Sequence, residues 1–213
     1  MDERWRLLDQ LFRRAMGCRL CFQEGLVNSP VIDMAQPRWV GPRYFETRPR
    51  ILVVMLNPGS GEGYDETLIR AYLDDLREYQ QGKMDLDELF ARQHADMANW
   101  GRPPGRFLNF FTQGLGLNLD EIAFVNMAWC ASASNRYPGR MLANCFNKHT
   151  ADLMKILKPH LVLLSGKRVH SFGTEVRGLL GRDARVVPLP HFAHRKGRQW
   201  EAEELERIGR SEW

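Results

Sequence analysis

Four short, apolar-rich segments constrain this chain more than any other feature: "ILVVML" from Ile51, "EIAFVNMAW" from Glu121, "LVLLSG" from Leu161 and "ARVVPLPH" from Ala184. A strand with one wet face alternates apolar and polar residues. These segments do not alternate, so they read as strands covered on both faces, as in a parallel sheet. The stretches between them carry helical periodicity, and strands alternating with helices give a sheet with helices on either side. The expected fold class is therefore α/β, a three-layer α-β-α sandwich with a central four-stranded parallel sheet. Ligands of such sheets bind outside the carboxyl ends of the strands. Here those ends run into "NPGSG", "NMAWCAS", "SGKR" and "PHFAHR", which is where function is expected.

Between the strands, "DERWRLLDQLFRRA" has apolar residues at helical spacing, with Asp2 as its N-cap. Residues 22–50 read as loop, punctuated by Pro30, Pro37, Pro42 and Pro49. Residues 65–99 predict two helices broken at "QQGKMD". "GRPPGRFLNFFTQGLGL" starts with turn chemistry and becomes a helix ending at Gly114 or Gly116, with Phe107 and Phe110 in the core. A helix over 139–157 is closed by Lys158-Pro159, "KRVHSFGTEVRGLLG" predicts one more, and a last helix is expected near 200–208. No repeat or low-complexity linker divides the 213 residues, so a single domain over 1–213 is expected. No apolar run approaches the roughly 20 residues of a membrane span. The N-terminus lacks the apolar core of a secretory signal, so a cytoplasmic location without a membrane partner is expected. The net charge is +4, and "HFAHRKGR" from His191 gathers cations near the C-terminus. That is compatible with nucleic-acid binding and equally with a solvated basic loop.

Cys18 and Cys21 form a C-x2-C pair just after the first helix. Cys130 follows the second strand, and Cys145 lies fifteen residues further on. Such a set can converge as a four-thiolate site for a tetrahedral zinc or a 4Fe–4S cluster. Zinc ribbons use two close pairs, so the wide second spacing favours iron–sulfur over zinc. Four separate reduced thiols are the plain alternative, since a cytosolic protein is not expected to hold disulfides.

The order of these pieces resembles that of the uracil-DNA glycosylase superfamily, closest to its iron–sulfur family-four and family-five members. The resemblance runs from Cys18 to about Arg195. It rests on "CRLC", "LNPGS", "GRPPGRFLNFFTQGLGL", "FVNMAWC", "ANC", "LKPHLVLLSG" and "PLPHFAHR", in that order. It implies that Cys18, Cys21, Cys130 and Cys145 ligate a 4Fe–4S cluster. The chain also departs from the family pattern. The family-four first strand usually ends in a Gly-Glu-Ala-Pro-Gly type sequence. Leu56-Asn57-Pro58-Gly59 is instead similar to the Asn-Pro-Gly of the mismatch-specific and single-strand-selective branches. The final His-Pro-Ser is reduced to His191-Phe192-Ala193, and residues 60–99 look like a helical insertion.

What the resemblance implies is a monofunctional DNA glycosylase, probing DNA as a monomer for a flipped nucleotide and hydrolysing its N-glycosidic bond. Asn57 takes the position of the water-positioning residue; a neutral amide orients a water although it is no strong base. His191 takes the place of the residue facing the base carbonyl. Asn126 can offer both donor and acceptor to a pyrimidine edge, and Trp100 aligns with the aromatic that stacks on the base. Backbone N–H groups of Gly59 and Ser60, beside Pro58, and of Gly166 and Lys167 are expected to meet phosphates or substrate. His194, Arg195 and Lys196 belong to the loop that enters the minor groove in the family. Each residue also has a structural reading: Asn57 capping a Pro-Gly turn, Asn126 satisfied at a strand end, Trp100 in the core. Uracil is the default substrate. The altered motifs also allow a bulky modified pyrimidine of phage DNA, an antiviral role. A catalytically decayed iron–sulfur DNA-binding protein is the reading from another class, and an iron–sulfur redox protein is disfavoured. "NPGSGEGYDE" lacks the Lys-Ser/Thr that closes a phosphate-binding P-loop, and it lacks a dinucleotide glycine fingerprint.

Overall fold

The computed structural model describes residues 2–27, 32–58, 65–97, 106–132 and 136–191. All four apolar segments are strands: β1 Ile51–Met55, β2 Ile122–Asn126, β3 Leu161–Ser165 and β4 Arg185–Leu189. They form one sheet in the order β2-β1-β3-β4. β3 lies parallel to both neighbours, with Ile51 opposite Leu161 and Leu161 opposite Arg185. The fold class is α/β with the all-parallel sheet expected of a three-layer α-β-α sandwich. The apolar runs are explained by burial: β2 and β3 are buried along their whole length.

The chain forms two compact units. The first comprises Met1–Arg38, Leu56–Arg92 and Val125–Leu157; the second comprises Trp39–Met55, Gln93–Phe124 and Lys158–Trp213.

In the first unit, α1 (Glu3–Met16) buries Leu8, Leu11, Phe12, Ala15 and Met16, and Asp2 caps it by accepting from Arg4 N–H at 3.0 Å. α2 is the single turn Leu20–Gln23. The region 65–99 contains two helices, α3 (Glu66–Gln80) and α4 (Leu86–Asp96). Asp65 caps α3, and the turn between the helices holds Gly82 at φ 76°. These helices are tied to α1 rather than hung on the surface. The Tyr79 hydroxyl donates to Asp9 at 2.7 Å, the same carboxylate pairs with Arg13, and Arg13 also reaches the Tyr79 carbonyl. Residues 139–157 are helical throughout, as α6 (Gly139–Cys145), a π-helical segment (Phe146–Thr150) and α7 (Ala151–Leu157). Trp129 is buried between these layers. It meets Phe12 edge-on at 5.7 Å and donates from Nε1 to Thr150 at 3.0 Å.

The second unit holds the sheet's core. A short α5 (Arg106–Leu108) continues as a π-helical segment ending at Gly114. Phe107, Phe110 and Phe111 project from it, and with Phe124 of β2 they form an aromatic cluster with centroids 4.9–5.2 Å apart. Replacing the fully buried Phe111 with alanine should cost about 3–5 kcal/mol of unfolding free energy, measured by chemical denaturation. A value under about 1 kcal/mol would show that the cluster repacks. Residues 39–41 run antiparallel along β2, with Val40 bridging Ala123 and Phe124 N–H donating to Trp39 O at 2.8 Å. This covers the backbone edge that β2, outermost in the sheet, would otherwise present.

The sequence predicts one helix after β3; the structure has two, α8 (Lys167–His170) and α9 (Gly173–Leu180). The Ser171 hydroxyl donates to Arg168 O at 2.8 Å, and such a bond competes with the helical ladder. The helix expected near 200–208 lies outside the described residues. No described helix is long and apolar enough to cross a membrane.

Candidate functional site

In the first unit, the chain leaves β1 at Leu56 and β2 at Val125-Asn126. The two exits are stitched together: Ala128 N–H donates to Leu56 O at 2.9 Å. Asn126 is buried, 1% exposed. Its amide orientation follows from the polarity of its partners, because Arg38 Nε can only donate and Asn57 O can only accept. Asn126 Oδ1 therefore accepts from Arg38 Nε at 2.9 Å, and Nδ2 donates to Asn57 O at 3.1 Å. An amide has four hydrogen-bonding positions, so these two contacts leave one acceptor and one donor site in its bonding capacity.

Arg38 holds the corner together. Its guanidinium donates to Pro58 O at 2.8 Å, to Gln36 Oε1 at 3.3 Å and to the Tyr72 hydroxyl at 3.3 Å. It is 7% exposed, so these bonds lie in a low dielectric and fix geometry strongly. Gln36 is itself buried, and its Nε2 has no hydrogen-bond partner among the described residues. The Asn57 side chain is half-buried and hydrogen-bonds the Tyr137 hydroxyl, which also accepts from Ser132 N–H at 3.1 Å. Burial pushes the Tyr137 phenol up to about 12, so it remains protonated at neutral pH and serves as a fixed dipole rather than a base.

In the second unit, β3 and β4 end side by side. Ser165 Oγ donates to Pro190 O at 3.2 Å, and Gly166 N–H donates to Leu189 O at 2.7 Å. Gly166 has φ 101°, and a Cβ there would lie 3.6–3.7 Å from the His191 side chain. Glycine thus supplies a backbone that other residues rarely adopt, while His191 packs on it half-exposed. Lys167 opens α8, directly after this turn.

All four cysteines are reduced and lie in the first unit. Cys18 follows the C-cap of α1, Cys21 sits in α2, Cys130 forms a bridge with Ala35, and Cys145 ends α6 where the π-helical segment begins. Such π segments are frequent at functional sites. The thiols are neighbours: Cys145 hydrogen-bonds Cys21, and Cys130 lies within electrostatic reach of Cys18, Cys21 and Cys145. The bond from Cys145 holds the Cys21 thiol down to about 7 and pushes Cys145 up. Burial, then the nearby thiols, push Cys130 up to about 12. Asn144 hydrogen-bonds Cys21 and donates to Glu24 at 2.9 Å, and Glu24 also pairs with Arg140. Among the described residues no group of three or more His, Cys, Asp or Glu side chains is arranged to hold a metal ion. By chemistry alone, reduced and largely buried sulfurs are donors of the type that soft metals take.

Of the site residues predicted from sequence, Asn57, Pro58 and Asn126 meet in one hydrogen-bonded corner, Gly166 and His191 in another, and the cysteines in a third group. Trp100, Gly59, Ser60, His194, Arg195 and Lys196 lie outside the described residues. Sequence reasoning passed over Gln36, Arg38 and Tyr137. The available signal was a glutamine and an arginine inside the mostly apolar, proline-bearing "AQPRWV". No protein-family model matches the chain, and no curated protein matches it in sequence.

Proposed function

We propose that the chain is a monofunctional DNA glycosylase that hydrolyses the N-glycosidic bond of a flipped nucleotide, uracil by default. The observation carrying this reading is the corner at the β1 and β2 ends, where Asn57 and Asn126 share a hydrogen bond and Arg38 fastens both exits. Placed amides suit this reaction. As the C1′–N1 bond breaks, its electron pair leaves with the base and the sugar becomes oxocarbenium-like. A water held by the Asn57 amide then bonds C1′ without needing a strong base, and its proton passes to solvent or to the departing base. His191 takes the role of hydrogen-bonding the charge that develops on the base carbonyl. The backbone N–H of Lys167 suits phosphate contact, whereas that of Gly166, expected from sequence to do the same, already donates to Leu189 O. Water is the proposed acceptor of the sugar.

Cys18, Cys21, Cys130 and Cys145 are the proposed ligands of a 4Fe–4S cluster, with zinc as the second candidate occupant. Such a cluster would act structurally, with Cys18 and Cys21 holding it from the end of α1 and from α2, Cys130 from the β2 exit and Cys145 from α6. A strand-cleavage assay tests the function. Oligonucleotides carrying uracil, hypoxanthine, mismatches or modified cytosines are incubated with the protein and treated with alkali. Cleavage at uracil is expected, and cleavage at no base would favour a DNA-binding protein without catalysis.

A further inference from the structure

We propose that the amino-terminal rim of the sheet is a separate nucleic-acid contact, where a row of cations takes the phosphate backbone of duplex DNA. This rim is the other end of the strands from Gly166 and His191, and the proposal stands whether or not the protein excises a base. The row follows from strand register. Arg50 and His160 immediately precede the paired residues Ile51 and Leu161, and Leu161 is paired in turn with Arg185. His160 N–H donates to Arg50 O at 2.9 Å, and Arg185 N–H donates to His160 O at 2.8 Å. Neighbouring strands lie about 4.8 Å apart, so β1 to β4 covers roughly 10 Å, the axial rise of about three phosphates on one DNA strand.

The charge along this row is one-sided. Residues 46–50, 158–160 and 181–185 carry five Lys or Arg against two carboxylates, Glu46 and Asp183. Arg48, Lys158, Arg182 and Arg185 are exposed, and none of them is in an ion pair among the described residues. Arg43, close by in sequence, is instead matched by Glu121 at 2.9 Å. Arg50 is fixed in place: its Nε donates to Lys158 O at 2.9 Å, and its backbone N–H donates to His160 Nδ1 at 3.0 Å. The local field shows at His160, which burial and then Arg50 and Arg48 hold below the ordinary histidine range, against the pull of Asp183. The chemistry favours phosphate over protein as the partner. A protein interface draws its strength from an apolar centre, and the exposed large apolar side chains among the described residues, Leu7 and Leu68, both lie in the first unit. Four of the five cations are arginines, whose planar forks match phosphate oxygens. Cations clustered on one rim without an apolar anchor are the footprint of a nucleic-acid backbone.

The test measures fluorescence anisotropy of a lesion-free duplex between about 50 and 200 mM salt. Wild type is compared with Arg48→Gln/Arg185→Gln and with an independent rim pair, Lys158→Gln/Arg182→Gln, which carries the test if the first variant does not fold. Arg6→Gln/Arg77→Gln removes the same charge from exposed positions on α1 and α3 as a control. Each phosphate contact contributes about 0.9 to the slope of log K against log salt, so each rim pair should make the slope shallower by about 1.8, and the control should not. Single-turnover excision from a saturating single-stranded uracil oligonucleotide should be unchanged in the rim variants. An unchanged slope overturns the inference, as does an equal change in the control. Excision that falls in step with binding also overturns it, by making the rim part of the excision site. Polyglutamate that binds wild type through the rim while the duplex slope stays fixed would assign the patch to an acidic protein and overturn it too. If wild type excises nothing, the glycosylase reading falls and the slopes still decide this inference.

Discussion

Replacing Asn57 with alanine is expected to slow base excision by about 100- to 1,000-fold, the usual cost of removing one placed polar group from a reacting centre. DNA affinity should change little, because the interaction lost is made in the transition state and not in the bound ground state. The structure gives the substitution a defined footprint. Asn57's backbone carbonyl, which accepts from Asn126, survives in alanine, and so does the Pro58 carbonyl held by Arg38. What disappears is the side-chain amide and its hydrogen bond to Tyr137. The buried phenol still accepts from Ser132 N–H, so the stability cost should stay within about 1–3 kcal/mol. Single-turnover excision with enzyme in excess, run beside fluorescence-anisotropy binding, separates the two effects. Turnover close to wild type would remove Asn57 from the reaction and leave it as the cap of a turn.

Much of the fold was legible because it rests on local patterns. Apolar runs without alternation predict four buried strands; all four strands are found, but β4, at the sheet edge, is exposed at Arg185 and Pro188 and only partly buried. Residues 65–99 predict two helices with a break at "QQGKMD", and α3 and α4 end and begin around it. What was not legible depends on contacts between distant residues. Residues 22–50 carry no periodicity and read as loop, yet within them Ala35 pairs with Cys130, Val40 pairs with Ala123, and Arg38 reaches Pro58. Nothing local to "QPRW" encodes that. The break after α8 coincides with the Ser171 hydroxyl's bond to Arg168 O, a detail below the resolution of a periodicity argument. For the site, strand-end logic placed Asn57, Asn126, Gly166 and His191 correctly at the ends of β1 to β4. It left Asn126 open between substrate contact and a satisfied strand-end residue; two of that side chain's four hydrogen-bonding positions are used inside the protein.

The cysteines carry the second large expectation. Cys145→Ala should abolish the absorbance near about 400 nm expected of a 4Fe–4S cluster in anaerobically purified protein. It should also destabilise the chain severely, since a metal centre that joins separate segments contributes on the order of 10 kcal/mol. The segments joined are far apart in sequence: Cys18 and Cys21 lie at the end of α1 and in α2, Cys130 beyond β2, and Cys145 at the end of α6. Without a cation the group is in tension, because burial and neighbouring thiols push Cys130 up to about 12 and push Cys145 up as well. A bound centre resolves this by displacing the protons, so loading should strengthen as pH rises. Cys18, half-buried and at the edge of the group, offers the milder variant. Cys18→Ser should lose iron and colour, and with them the same stabilisation, but without the buried cavity that Cys145→Ala adds. Full colour in Cys18→Ser, with three cysteines left, would show that Cys18 is not a ligand. Colourless wild-type protein with one zinc per chain would assign the thiols to zinc, and colourless protein without metal would leave them as four reduced core residues.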